Sequence, residues 1–249
     1  MNGDGLEDFF LGVMYLETGR IYLQNKNGLF TEDSLGMAKQ FSQDAGCLLF
    51  DADGDGDADL YIVSGGSEFD ANDAEYQDRL YLNDGKAKFT LNDKALPRMG
   101  SSKSCVVGAD YDGDGDIDLF VGGGNVPGFY PQAPESYLLQ NNKGIFTDVT
   151  LIAAPQMKNL GMVTSASWTD MDNDGRPDLI IVGEWMPIAI FKNIGNKFSN
   201  VTNKFGLQNT EGWWQSIVSG DFDNDGDMDY VIGNWGTNTP YTASKKKEN

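Results

Sequence analysis

Short runs of apolar and β-branched residues recur along this chain between polar, glycine-rich stretches. Leu60-Tyr61-Ile62-Val63, Leu119-Phe120-Val121, Leu179-Ile180-Ile181-Val182 and Tyr230-Val231-Ile232 have the length and composition of buried strands. Each is preceded by a second strand-like piece: Cys47-Leu48-Leu49-Phe50, Cys105-Val106-Val107, Ala166-Ser167-Trp168 and Ile217-Val218. A third pattern repeats as YLQNKNGLF, YLNDGKAKF, LLQNNKGIF and IFKNIGNKF. In each, a strand ends at Asn25, Asp84, Asn141 or Asn193, and a Phe follows five residues later (Phe30, Phe89, Phe146, Phe198). The Asn and Gly residues between these runs predict β-hairpin turns. No stretch keeps a helical period long enough for a helix, and the chain reads as all-β.

The polar stretch between the first two strands of each unit has a fixed form, D-x-D-x-D-G-x-x-D. Complete copies read DADGDGDAD, DYDGDGDID, DMDNDGRPD and DFDNDGDMD, and the opening NGDGLED is a fifth copy without its first two positions. The complete copies start 59, 60 and 51 residues apart. Positions 1, 3, 5 and 9 offer side-chain oxygens. They are Asp51, Asp53, Asp55 and Asp59, then Asp110, Asp112, Asp114 and Asp118, then Asp170, Asp172, Asp174 and Asp178, then Asp221, Asp223, Asp225 and Asp229. The clipped copy supplies Asn2, Asp4 and Asp8. Position 7 is Leu6, Asp57, Asp116, Arg176 or Asp227. An arginine side chain is no ligand, so a backbone carbonyl is expected there. Position 6 is always Gly (Gly56, Gly115, Gly175, Gly226), and position 4 is Gly54, Gly113, Asn173 or Asn224, residues that accept a left-handed turn. Oxygen ligands around a tight turn suit a hard cation, and calcium is the expected one. Carboxylates this close repel one another when no cation lies among them.

An EF-hand needs a glutamate at position 12 and flanking helices. Position 12 here is Ile62, Val121, Ile181 or Ile232, and the flanks are strands. The tandem nonapeptide of calcium β-helices is excluded by the distance between copies. Each unit is strand, acidic loop, strand, connection, strand, hairpin turn, strand, which is one four-stranded antiparallel propeller blade.

The unit resembles the FG-GAP/VCBS repeat of integrin-α-type β-propellers, whose calcium loops join the first two strands of a blade. Gly183-Glu184-Trp185-Met186-Pro187 and Gly212-Trp213-Trp214-Gln215-Ser216-Ile217 resemble the bacterial ASPIC/UnbV (cartilage acidic protein-like) group. The resemblance implies a β-propeller in a single domain, residues 1–249. Approximate blades are 1–40 (first strand missing), 41–98, 99–157, 158–208 and 209–249 (inner half only). Such rings usually have seven blades, so an incomplete ring of about four or five is expected. Closure with four blades would duplicate a loop and a strand, and an open arc exposes strand edges. A polar tail, Lys245-Lys246-Lys247-Glu248-Asn249, follows the last strand.

Composition adds limits. The net charge is −20, more than half of the 38 acidic residues lie in the loop copies, and five calcium ions would halve that charge. Nucleic acid is not expected as a partner, because it needs basic patches. There is no histidine, which removes the commonest general base and zinc ligand. No apolar run is long enough to span a membrane. Met1 is followed at once by loop residues with no signal peptide, and an extracytoplasmic location is expected from the calcium loops instead. Cys47 and Cys105 are expected to be buried free thiols.

The connections between second and third strands vary in length, and variable loops on a rigid scaffold are where ligands bind. One is acidic and polar, from Ser64 to Asp78, and another is Gly124-Asn125-Val126-Pro127-Gly128-Phe129-Tyr130-Pro131. Phe129, Tyr130, Trp185, Trp213, Trp214 and Trp235 are candidate ring surfaces for a sugar or peptide, with packing between blades as the alternative. The expected function is a non-catalytic, calcium-stabilised extracellular scaffold that binds protein or glycan. One alternative is a calcium-dependent polysaccharide lyase using Arg79, Arg98, Lys103 or Lys158. Another is a scaffold for a domain, or the rest of a parent propeller, outside this chain.

Overall fold

The computed structural model describes residues 1–14, 16–34 and 41–236. The expected polar tail, and the 35–40 end of the first expected blade, lie outside the described residues. The first blade contributes three strands, β1 (Phe9–Leu11), β2 (Arg20–Gln24) and β3 (Phe30–Ser34). The second holds β4 (Gln43–Phe50), β5 (Asp59–Gly65), β6 (Arg79–Asn83) and β7 (Phe89–Leu91). The third holds β8 (Ser102–Ala109), β9 (Asp118–Asn125), β10 (Tyr137–Asn142) and β11 (Ile145–Asp148). The fourth holds β12 (Met162–Thr169), β13 (Asp178–Met186), β14 (Ala189–Asn193) and β15 (Phe198–Asn200). The last has β16 (Gly212–Gly220) and β17 (Asp229–Asn234). Every pairing is antiparallel between consecutive strands, with one addition. The far end of β13 also pairs with the start of β16, Glu184 opposite Trp213. β4 packs on β8, β8 on β12 and β12 on β16, and among the described residues no comparable packing joins β16 or β17 to the first blade, so the described blades form an arc and not a closed ring.

The second strands of the three middle blades, β5, β9 and β13, are largely apolar because both of their faces are covered. All of β5 is buried, as are the first six residues of β9 and of β13. Four apolar clusters fill the spaces between successive blades. The largest joins Tyr111, Phe120 and Leu138 of the third blade to Val163, Leu179, Ile181 and Phe191 of the fourth. Burying a Leu- or Phe-sized side chain is worth about 1.5–3 kcal/mol, so these layers hold the arc together.

The first strands share a feature that the apolar pattern conceals. Pairing with the second strand slips at an equivalent place in each of four blades, between Asp44 and Gly46, Lys103 and Cys105, Val163 and Ser165, and Trp214 and Ser216, and in β8 a second time between Ser102 and Lys103. These are β-bulges. Two of the bulged residues tie blades together. Ser104 Oγ donates to the Val163 carbonyl (2.5 Å) and Thr164 Oγ1 to the Trp214 carbonyl (2.9 Å), each in the next blade.

Both cysteines are free thiols. Cys105 packs against the core of the third and fourth blades, and burial pushes its thiol up to about 11. Cys47 departs from the buried expectation. It falls on an exposed position of β4, whose residues alternate between half-buried and exposed.

Candidate functional site

In all five acidic loops the turn is made by two left-handed residues. Position 4 (Gly3, Gly54, Gly113, Asn173, Asn224) has φ between 55° and 82°, and position 6 (Gly5, Gly56, Gly115, Gly175, Gly226) between 80° and 96°. This winding turns backbone N–H groups onto the carboxylates. The Asp51 carboxylate accepts from Gly54 (2.8 Å) and Gly56 (2.9 Å), and that of Asp110 from Gly113 (2.7 Å) and Gly115 (3.1 Å). Asp170 accepts from Asp174 and Gly175, and Asp221 from Asp225 and Gly226. At position 5, Asp4, Asp55, Asp114, Asp174 and Asp225 each accept from the N–H two residues on.

The result is a convergence of like charges. Carboxylate oxygens of Asp51, Asp53 and Asp59 lie within 4.8 Å of one another, as do those of Asp110, Asp112 and Asp118, of Asp170, Asp172 and Asp178, and of Asp221, Asp223 and Asp225. Asp59, Asp118 and Asp178 are buried. Burial is the main cause that raises the pKa of all three, reinforced by neighbouring loop carboxylates, and Asp118 is pushed up to about 7. Four hard oxygen donors, three of them converging on one point and short of counter-charge, fit a divalent cation with oxygen preference. The position-7 side chains stand outside these clusters. Asp116 instead accepts from the Lys143 N–H of the hairpin (3.0 Å), and Asp57 lies against Gly85, where an added Cβ would meet its carboxylate at 2.6 Å. Asn2 and Asp8 of the clipped copy remain neighbours (Asn2 N–H to Asp8, 3.4 Å).

The position-9 aspartate also has a second, structural duty. One oxygen of Asp59, Asp118 and Asp178 accepts from the N–H at position 2, and the other from the N–H of Asn83, Asn141 and Asn193 at the end of the third strand. Those asparagines reach into the preceding blade. Their Nδ2 donates to the position-2 carbonyl of the previous loop: Asn83 to Met1 (2.8 Å), Asn141 to Ala52 (2.8 Å) and Asn193 to Tyr111 (2.7 Å). The first three acidic loops are thereby each stitched to the next blade. The repeat spacing had aligned Asp84 with Asn141, but register places Asn83 opposite Phe89 just as Asn141 faces Phe146, and in the first blade Gln24, not Asn25, faces Phe30. The first two hairpin turns are one residue longer, which hid the equivalence. Replacing Asn141 by Ala leaves the buried Ala52 carbonyl and the part-buried Ile117 carbonyl (3.1 Å) without this donor and is expected to cost about 2 kcal/mol. An unchanged denaturation midpoint would count against the stitch.

The candidate ring residues separate into two groups. Trp214 is half-buried, packs in the layer between the fourth and fifth blades and donates its Nε1 to the Thr210 carbonyl (2.9 Å). Trp185, Trp213 and Trp235 form a chain of rings, with centroids 5.2 Å and 4.9 Å apart. Trp213 is buried in the middle. Trp185 Nε1 donates to the Tyr130 hydroxyl, which donates to Glu184 (3.2 Å). Tyr130, Phe129 and Trp235 are 56, 62 and 57 % exposed. The cluster lies at the strand ends opposite the acidic loops, because β13 begins at the loop residue Asp178 and ends beside Trp185. Trp185 itself is left-handed (φ 59°), an uncommon state for a bulky residue.

Three of the four basic residues considered for lyase chemistry are tied up. Arg79 binds Asp44 (2.7 Å), Lys103 is fully buried against Asp78 (3.3 Å), and Lys158 pairs with Glu135 (3.0 Å). Among the described residues no helix is long and apolar enough to cross a membrane.

Four-stranded antiparallel blades in sequence, each with an acidic loop between its first two strands, define a repeat protein of the β-propeller class. The chain belongs to the FG-GAP-like repeat family, whose sequence profile matches residues 1–62, 51–121 and 170–232. The ASPIC/UnbV resemblance is not confirmed, and both of its segments fall within the last of these matches. Comparison with curated protein sequences finds no match. Among solved structures, the chain is similar to an Agrocybe aegerita lectin described as specifically recognising non-reducing terminal N-acetylglucosamine. That likeness has a TM-score of 0.51 at 17% identity and covers 92% of this chain and 61% of the lectin. A second similar structure is the V. cholerae biofilm matrix protein Bap1, with a TM-score of 0.40 and 16% identity over 93% of this chain and 32% of that protein. The chain thus spans under two thirds of the length of either protein.

Proposed function

We propose that this chain is part of a non-catalytic, calcium-stabilised extracellular β-propeller that binds a protein or glycan through the edge opposite its acidic loops. The observation that carries the reading is the convergence of aspartate carboxylates at the same place in four successive blades. Asp51, Asp53, Asp55 and Asp59, their counterparts in the other loops, and the position-7 carbonyls would hold the ion. Bound calcium supplies counter-charge and fixes the turn. The chain's own residues do the rest, since the position-9 aspartates and hairpin asparagines carry the rigidity of each loop to the next blade. Acidic loops that fill at millimolar calcium favour an extracytoplasmic setting.

The binding surface proposed is formed by Trp185 and Trp235, which pack on buried Trp213, with exposed Phe129 and Tyr130. Aromatic faces beside a carboxylate such as Glu184 suit sugar rings or peptide side chains. The sugar specificity of the lectin with a similar fold makes a glycan the first ligand class to test. Engagement of Arg79, Lys103 and Lys158 in ion pairs supports a binding role over a lyase. Probing an array of glycans and extracellular peptides with the full chain and with Tyr130→Ala tests the reading. A ligand whose binding weakens about tenfold or more in the variant is expected. Ligand capture that is indifferent to Tyr130→Ala would remove this surface from the account.

A further inference from the structure

The acidic loops are alike in sequence, but in the second, third and fourth blades the third strand carries a different side chain at the position beside the loop. Leu82, Gln140 and Lys192 occupy one structural position, immediately before the hairpin asparagines, paired with Thr90, Thr147 and Ser199 respectively. Strand alternation points this residue to the loop. Gln140 Nε2 donates to Asp112 Oδ2 (2.5 Å). Lys192 Nζ contacts Asp172 Oδ2 and lies 3.3 Å from Asp174 Oδ2. Arg176 of the same loop adds a second cation, its Nη2 on Asp174 Oδ2. The fourth blade therefore sets two positive groups against the four loop aspartates Asp170, Asp172, Asp174 and Asp178. The loops starting at Asp51 and Asp110 each carry five aspartates, and among the described residues neither has a salt bridge to a cationic side chain.

We propose that Lys192 is a tethered cation that occupies the carboxylates of the fourth loop, making this loop the weakest of the complete calcium loops. The inference rests on the calcium reading above and adds an order to it: the loop at Asp51, under Leu82, binds most tightly, the loop at Asp110, under Gln140, less so, and the loop at Asp170 least. Two carboxylates that a metal needs at positions 3 and 5 are already paired, and an ammonium within a few ångströms repels an arriving divalent ion. Lys192 is 30% exposed, so its flexible stem can move toward water, which leaves the site weak and not closed. Affinity in oxygen-ligand sites follows the count of ligand charge, and the fourth loop has the lowest net charge of the complete copies.

Calorimetric titration of the full chain with calcium alone, as wild type, Lys192→Leu and Leu82→Lys, tests the assignment. Leucine already occurs at this position in two blades (Leu23 and Leu82) and lysine in one, so both exchanges are compatible with the fold. Lys192→Leu is expected to tighten the fourth-loop site by about tenfold or more, and Leu82→Lys to weaken one tight site by a similar factor. Isotherms of wild type and Lys192→Leu that coincide, or a Leu82→Lys chain that keeps all its tight sites, would overturn the proposal while leaving the calcium reading intact. A folded wild-type chain that takes up no calcium overturns the reading and the proposal together, and the wild-type titration alone reveals that case.

Discussion

Lys103→Met is expected to destabilise the protein by about 3–5 kcal/mol, the cost of leaving a buried charge without its partner. Lys103 comes from β8 of the third blade and Asp78 from the connection ahead of β6 in the second, and both side chains are fully buried. Lys103 Nζ also donates to the carbonyls of Tyr76 and Ser101 (2.6 Å for the latter). Asp78 accepts from the Tyr61 hydroxyl (2.7 Å) and the Ser64 N–H (2.7 Å). Burial raises the Asp78 carboxyl and lowers the Lys103 ammonium, so each charge persists because the other and these donors and acceptors surround it. With methionine at 103, Asp78 keeps its two hydrogen bonds and loses its counter-charge. Adding Asp78→Asn to that variant is expected to recover part of the loss, because the charge is then gone. Denaturant midpoints of the single and double variants measure this. A loss under about 1 kcal/mol for Lys103→Met would mean that the pair is solvated, as exposed pairs are.

The propeller class could be read from the sequence because two signals repeat in register. Short, β-branched apolar runs between turn residues, such as Leu179-Ile180-Ile181-Val182, fit a strand covered on both faces. The fixed glycine of the acidic pattern fits only a left-handed turn. Contacts that cross between blades could not be read that way. Asn141 and Ala52 are 89 positions apart, and nothing local in either segment announces their hydrogen bond. The Lys103–Asp78 pair is hidden for the same reason, and the sequence leaves Lys103 among the candidate lyase residues. Lys192 was within reach of sequence reasoning. It precedes the hairpin asparagine by one residue, and strand alternation assigns it to the loop side. The aromatic residues were ambiguous by nature, since Trp faces serve both packing and binding. Only the structure separates buried Trp213 and half-buried Trp214 from exposed Tyr130 and Trp235.

Calcium is expected to move the thermal midpoint further than any single surface substitution. At a site dissociation constant of roughly 10⁻⁴ M, 1 mM calcium contributes about 1.4 kcal/mol per site through binding to the folded state alone. Three such loops give about 4 kcal/mol, which for a chain of this size corresponds to a midpoint rise on the order of 10 °C. The stitches make the effect cooperative in structure. Asp59, Asp118 and Asp178 each contribute to the acidic cluster of their own loop and accept from the asparagine that holds the previous one. The measurement that bears most directly on the account is therefore a melt of the same sample in 1 mM calcium and in EGTA, with magnesium as control. The account predicts a rise of about 10 °C with calcium and little with magnesium, which suits rigid octahedral sites with retained water. A folded protein whose midpoint is the same in calcium and EGTA would contradict it, and the acidic loops would then be turns without a metal.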